Sequence, residues 1–343
     1  MRVTQNYTNR SYLRNNNKIL SHYTKSMEKI YSGMDYFRAS ENPINASKAM
    51  TVRKSLRDLD MYDDNLETAD GVLKAAEDSL YSIANNIYLN VQTKLETACN
   101  GTYDKDVDLQ ILATEIEEYA KIAIETLNTD YAERNLFGGT NNSSSPFATE
   151  VDETDGKTYV TYNGVRVNDL TEDTIPYDNP IYVDIGIGIK YDEDGNVVEQ
   201  TALDIGLNGA EITGYGTEDD VIDIDGTSTE VTFSKNFVQL IFDAAASLKD
   251  GDTSTANAIL DRLNTANTGI LTEITTLGTK QNRVEFYLNK NDEQRISLQS
   301  RQNDVEGVDT ESEIVTMDSL QAAYNAALQM NAQVLPSSIF DFI

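Results

Sequence analysis

The chain has 343 residues, with 27 basic and 57 acidic side chains and a formal charge of −30; so large an acidic excess argues against binding nucleic acid by phosphate neutralisation. One histidine and one cysteine, His22 and Cys99, cannot supply the four nitrogen or sulfur ligands of a structural zinc site or an intrachain disulfide, and any nucleophile–histidine pair would have to use His22. No run approaches the ~20 apolar residues of a membrane span, and the start of the sequence has no apolar stretch or small-residue cleavage site, so neither membrane insertion nor a cleaved leader is expected.

In chain order, residues 6–34 predict a helix, with Leu13, Leu20, Met27 and Met34 seven apart and Tyr23, Ile30 and Phe37 three further on. Gly33 is suited to end it in a left-handed conformation. Asn42 followed by Pro43 is a cap and first-turn pair for the next helix. That helix carries Val52, Leu59, Leu66, Leu73, Leu80 and Ile87 at spacing seven, with Tyr62, Ala69, Ala76 and Ile83 as companions. This is an a/d seam held over about five heptads. It is expected to fray near Asn100-Gly101. A third helix is expected over about 104–134, with Leu109, Leu112, Ile116, Tyr119, Ala123 and Leu127 on one face and Gly138-Gly139 closing it.

Residues 140–234 differ in kind. They hold 21 acidic and 3 basic residues, a net of −18, and 10 of the 19 glycines. Thr158 to Tyr162 and Val165 to Val167 flank Asn163-Gly164, a two-residue hairpin signal. Residues 181–191, 197–202 and 221–224 are further β-rich runs, with Asp194-Gly195 and Asp225-Gly226 as turns. Helical spacing returns at Phe237, Leu240, Ile241, Ala244 and Leu248. It continues on a seven-residue grid of Leu263, Ile270, Leu277, Val284 and Leu298, with Asn291 as a polar gap. The last helix is marked by Met317, Leu320, Tyr324, Ala327 or Leu328, Asn331, Val334 and Leu335. Pro336 stops it, and Ile339, Phe340, Phe342 and Ile343 follow.

The reading is a mostly α protein: a long coiled-coil-like bundle built by both flanks, with an inserted acidic β-rich domain. Four parts are expected. Residues 1–44 form an assembly helix that pairs with 302–343; 45–139 and 235–301 form the bundle core; 140–234 form a solvent-facing domain. Residues 1–57 carry a net +8 and 302–343 a net −7, which favours their pairing. Two such helices are too thin to make a core alone and are expected to order on finding partners. Heterologous contacts repeated between copies would build a ring or tube. The candidate interface residues are Leu13, Leu20, Met27 and Ile30 at one end and Met317, Leu320, Tyr324, Leu328, Val334, Leu335, Phe340 and Phe342 at the other.

Chemistry finds no address. Asp192-Glu193-Asp194-Gly195-Asn196 and Asp223-Ile224-Asp225-Gly226 lack the spacing and the final bidentate glutamate of a calcium loop and read as hairpin tips. Gly186-Ile187-Gly188 lacks the following helix of a dinucleotide site and reads as a strand. His22 reads as a surface or interface residue and Cys99 as a small, partly buried one. No catalytic residue, metal or cofactor is expected.

The residues also resemble a known family, the flagellin superfamily of bacterial flagella. The start Met1-Arg2-Val3-Thr4, with Ser32-Gly33 closing the first helix, is similar to the superfamily's. So are Leu136-Phe137-Gly138-Gly139, Gly278-Thr279-Lys280-Gln281-Asn282-Arg283-Val284-Glu285 and, as an echo, Met330-Asn331-Ala332-Gln333-Val334-Leu335-Pro336. The stretch Ser40-Glu41-Asn42-Pro43-Ile44-Asn45-Ala46 and the ending Ser338-Ile339-Phe340-Asp341-Phe342-Ile343 resemble its hook–filament junction branch, the hook-associated protein 3 family. The resemblance implies a structural subunit joining the hook, through hook-associated protein 1, to flagellin, in a ring with its own copies. It implies passage through the flagellar type III export channel, a cytoplasmic chaperone on the C-terminal part, and an extracellular destination. The alternatives are a flagellin-type filament subunit and a calcium-dependent adhesin module in 140–234.

Overall fold

The computed structural model describes residues 2–100, 107–153, 156–198, 200–224 and 227–334. Its helices are α1 (Arg2–Ser32), α2 (Pro43–Tyr81), α3 (Tyr88–Asn100), α4 (Asp108–Leu127), α5 (Gly209–Thr213), α6 (Phe237–Lys249), α7 (Thr253–Glu306) and α8 (Thr310–Val334). The chain divides into two compact units, Met1–Asp60 with Asp292–Ile343, and Met61–Asn291. The division falls inside α2 and α7, whereas the sequence reading places boundaries at 44/45 and 301/302.

In the first unit α1 and α8 lie antiparallel. The Tyr12 hydroxyl donates to the Ala327 carbonyl at 2.7 Å, and the Ser26 hydroxyl to Glu313 Oε1 at 2.6 Å. Gly33 ends α1 with φ +71° and an N–H bond to the Lys29 carbonyl at 2.9 Å, the single-bond left-handed cap expected of it. The chain then crosses to the end of α7, where the Asp35 N–H donates to the Glu306 carbonyl and the Val308 N–H to the Gly33 carbonyl. Asn42 caps α2 through Oδ1, 3.2 Å from the Asn45 N–H, with Pro43 in the first turn.

The second unit holds the core. Leu66, Leu73, Leu80 and Ile87 of the heptad seam are buried there, as are Ala69, Ala76 and Ile83. The helix does not run on uniformly to Asn100, however. Ser82–Ile87 is a π-turn, closed by the Tyr88 N–H on the Ile83 carbonyl five residues back. Entering it, the buried grid is Leu66, Ala69, Leu73, Ala76, Leu80 and Ile83; leaving it, the grid runs from Ala84 to Tyr88, Val91, Leu95 and Ala98. The grid has moved by one position, so the one-residue excess of the π-turn keeps the apolar stripe on the core side.

Helix α4 buries Leu109, Ile116, Ala123 and Leu127 but stops at Leu127, short of the expected 134. The reason is Asn128. Its Oδ1 accepts the Phe147 N–H at 2.9 Å and its Nδ2 donates to the Phe147 carbonyl at 2.8 Å, so one side-chain amide stands in for a paired strand. A tight hairpin of β1 (Asp130–Tyr131) and β2 (Arg134–Asn135) follows, turning on Ala132 and Glu133 at φ +51° and +63°. The next segment is fixed by backbone: the Phe137 carbonyl accepts the Tyr162 hydroxyl and the Gly209 N–H, and the Gly139 N–H donates to Leu207. Gly139 has φ +61°, and a Cβ there would lie 2.3 Å from the Tyr177 carbonyl oxygen, so the second glycine of this Gly-Gly pair is sterically required.

Strands β3 (Phe147–Val151), β4 (Thr158–Tyr162) and β5 (Val165–Arg166) form an antiparallel sheet around the Asn163-Gly164 turn, as expected. Strand β6 (Tyr182–Asp184) pairs with β7 (Ala202–Asp204), and β8 (Thr217–Ile224) with β9 (Thr227–Ser234). The Asp225-Gly226 turn lies outside the described residues. Gly186-Ile187-Gly188 is not a strand: both glycines have positive φ, and their N–H groups donate to Asp184 Oδ1. The sequence reading sets 140–234 apart; here Phe147, Val160, Tyr162, Leu203 and Phe233 share one core with α2–α4, α6 and α7. Gln239 of α6 joins them, its Oε1 accepting the Val160 N–H at 2.7 Å and its Nε2 donating to the Thr158 carbonyl at 3.0 Å. In α7, Leu263, Ile270, Leu277 and Val284 are buried, and Asn291, the polar gap, donates to Asp63 Oδ1 at 2.8 Å.

Candidate assembly interface

Among the described residues of the first unit, the fully shielded apolar side chains are Ala46, Ala49, Val52, Leu59 and Ala327. None of these lies on α1. Its most buried residue is Ser26, and that of α8 is Ala327. At about 25 cal/mol per Å² of apolar surface, so shallow a pair stabilises itself weakly. It remains open to a further layer.

The shielded positions of α1 follow Tyr12, Asn16, Ile19, Tyr23, Ser26 and Ile30. Those of α8 follow Glu313, Met317, Leu320, Tyr324 and Ala327. Both run at spacings of three and four, the knobs-into-holes pattern. Of the candidates named from sequence, Ile30, Met317, Leu320 and Tyr324 therefore lie on the intrachain seam. Ala327, not Leu328, completes it. Leu13 (56% exposed) and Leu20 (39%) do not lie on it, and Leu328 is 43% exposed. Met27 is half-buried. At 100° per residue the Leu13–Leu20–Met27 grid sits about a quarter-turn round α1 from the seam. The α8 helix likewise has a second line, exposed Val315, Ser319, Ala322, Ala326 and Met330, away from its first. Hydrophobic spacing does not mark this line because its members are mostly small. The side chains of Val334, Leu335, Phe340 and Phe342 lie outside the described residues.

Helices apolar on two faces are built for two sets of neighbours, and among the described residues one set is supplied within the chain. Polar groups fix the register of that one. Lys29 bonds Asp35 at 2.8 Å and lies 3.7 Å from Glu313. Burial opposes its charge, but the bond to Asp35 and the fields of Asp35, Glu313 and Glu41 prevail and raise its pKa. Glu306 is buried and held by Arg53 at 2.7 Å.

The remaining chemical candidates have structural surroundings. Asp192 Oδ1 accepts the N–H groups of Asp194 and Asn196, and Gly195 takes φ +87°, which makes a self-closed turn. His22 is exposed on α1. Cys99 is half-buried with its Sγ 3.7 Å from the Thr253 carbonyl, and burial pushes the thiol pKa up, away from the reactive thiolate. No helix is long and apolar enough to cross a membrane among the described residues.

A model of the bacterial flagellin N-terminal helical region matches residues 3–142, and one of the bacterial flagellin C-terminal helical region matches residues 260–342. The fold is similar to the solved structure of a putative flagellar hook-associated protein from Vibrio parahaemolyticus, at 15% identity and TM-score 0.55, over 78% of this chain and 100% of that one. It is similar to Bacillus cereus FlgL, at 18% identity and TM-score 0.50, over 74% and 99%. A structure of Xanthomonas campestris FlgL aligns at 14% identity and TM-score 0.51, over 73% and 98%. No curated protein sequence matches the chain.

Proposed function

Because the chain belongs to the flagellin superfamily of bacterial flagella, we propose that it is the structural subunit that joins the hook, through hook-associated protein 1, to the flagellin filament. One observation carries this reading: α1 and α8 pair within the chain, yet each keeps a second apolar line open to solvent. Copies set side by side bury those lines, Leu13, Leu20 and Met27 of one against the small residues of α8 in the next. A heterologous contact of this kind closes into a ring or continues as a helix. The Asn42 cap with Pro43 and the Phe340-Asp341-Phe342 ending support the junction role over that of a bulk filament subunit. The work is mechanical: no acid–base pair, nucleophile or metal takes part. The acidic side chains of 150–230 lie mostly at the surface, suiting an extracellular face. Export without a cleaved leader and a chaperone on the C-terminal part complete the proposal.

Deletion of the gene, followed by electron microscopy of the flagella, tests it. The expected cells bear hooks without filaments and release flagellin into the medium. Full-length filaments on such cells overturn the role.

A further inference from the structure

In the first unit α2 and α7 run antiparallel, tied by Arg295 to Asp60 and by Arg53 to Glu306, each at 2.7 Å. Beside these ties their surface opens into a groove of about 240 Å³, lined by Lys48, Thr51 and Val52 of α2 and by Leu298, Arg301 and Val305 of α7. Val52 is buried and Leu298 and Val305 are half-buried, so the floor is aliphatic. Lys48 and Arg301 are exposed. No acidic side chain lines the groove, and neither cation has an ion-pair partner among the described residues. By the two ties, Arg301 lies opposite about Leu56. It and Lys48 are therefore about eight residues, or ~12 Å, apart along the pair.

The same unit carries the complement. On α8, Glu311, Ile314 and Asp318 follow at spacings of three and four and so make one stripe. Ile314 is 41% exposed. Both acids are exposed, and neither has a partner among the described residues. They stand about seven residues, or ~10 Å, apart, close to the separation of the two cations. At 100° per residue the stripe lies about a third of a turn from the seam with α1 and about a quarter-turn from the open line of small residues. It is a third face of α8, used by neither of those contacts. The chain's own α8 does not cover the groove: Tyr12 and Ser26 hold that helix on α1, and no α8 residue lines the groove. We infer that the groove receives the Glu311–Ile314–Asp318 stripe of a second copy lying alongside. Ile314 then rests on the aliphatic floor, and the two acids meet Lys48 and Arg301. Within one chain, the path from Arg301 to Ile314 spans at most ~28 Å. The neighbour is thus displaced by less than the ~46 Å length of α1, and the copies still lie side by side. The contact rests on the reading of the chain as an assembling subunit. It makes lateral packing charge-selective, fixes its register and weakens it in salt.

Charge reversal tests it, with full-length chains in cells lacking the native gene. Lys48→Glu with Arg301→Glu should abolish the restoration of filaments, as should Glu311→Lys with Asp318→Lys. The chain carrying all four should restore them. All four side chains are exposed, so each purified variant should unfold thermally with the native chain. Filaments restored by either reversed pair, or none restored by the chain carrying all four, overturn the contact and leave the junction role standing. Filaments in cells lacking the gene altogether overturn the role itself. A second measurement keeps every charge. Two chains, each with Cys99→Ser, carry Thr51→Cys in one and Ile314→Cys in the other, and are expressed together; the isolated flagella are then oxidised. A disulfide needs Cα atoms ~5–6 Å apart. The expected result is a covalent dimer that forms only when both variants are present, and restored filaments without that dimer overturn the contact.

Discussion

Asp243 sits in α6 among nine buried neighbours of the same helix, and its substitution by asparagine is expected to stabilise the protein. Its Oδ1 accepts the Gln239 Nε2 at 2.8 Å, and Gln239 in turn pins β4 through Thr158 and Val160. Burial pushes the Asp243 carboxyl up from 3.8 to about 6, against the opposing help of Gln239 and Lys157. At neutral pH the folded protein therefore holds a carboxylate that the unfolded chain ionises more readily. Each pKa unit corresponds to about 1.4 kcal/mol, so the folded state is disfavoured by about 3 kcal/mol above pH 6 relative to a neutral side chain. The sign follows from linkage: the stability is present in full below pH 3.8 and is lost as the pH rises through about 6. Asp243→Asn keeps the acceptor for Gln239 and removes the charge. At pH 7.5 the D243N chain should unfold about 6–12 °C above the native one, at ~2–4 °C per kcal/mol. At pH 4 the two should nearly coincide. Thermal unfolding followed by circular dichroism at both values decides the matter; a D243N chain no more stable than the native one at pH 7.5 refutes the argument that burial strains this carboxylate.

The other expectations concern the strand that α4 ends on and the open seam of α1. Asn128→Ala removes both amide bonds to Phe147 and leaves that backbone unpaired, which costs about 2–4 kcal/mol in a urea titration. Gly209→Ala places a methyl 2.5 Å from the Phe147 ring and 2.8 Å from the Phe137 carbonyl oxygen, neither free to move away; about 1–3 kcal/mol of destabilisation is expected. Leu13→Asp with Leu20→Asp should leave thermal unfolding within about 0.5 kcal/mol of native, since both side chains are exposed. The same double variant should fail to restore filaments in cells lacking the gene, and restoration by it would remove the open seam from the interface.

How far the sequence discloses the fold depends on whether a signal is local. Gly33, the Asn42-Pro43 pair and Asn163-Gly164 act within a few residues, and each does in the structure what its chemistry predicts. The seam from Leu59 to Ile87 is legible because every seventh residue is large and apolar. The π-turn at Ser82–Ile87 is not, since its cause is the shift of the buried grid from Ile83 to Ala84, and alanine is a weak marker of either face. The end of α4 escapes notice because Asn128 finds its partner nineteen residues on, and because Ala132 and Glu133 are not turn formers. At the candidate interface the Leu13 grid is visible, but not its direction. The intrachain seam of α1 uses Tyr12, Asn16 and Ser26, residues a hydrophobic pattern passes over. Leucines thus fall on the open line, while the closed line mixes Tyr12, Ile19, Tyr23 and Ile30 with the polar Asn16 and Ser26. Two exposed leucines on the open line fit a helix with a further partner in another copy.

Immunogold labelling of intact flagella reports where along the flagellum the subunit sits. Antibody raised against residues 140–234 should decorate one short band between hook and filament. Label distributed along the whole filament would contradict the junction role and make the chain a filament subunit.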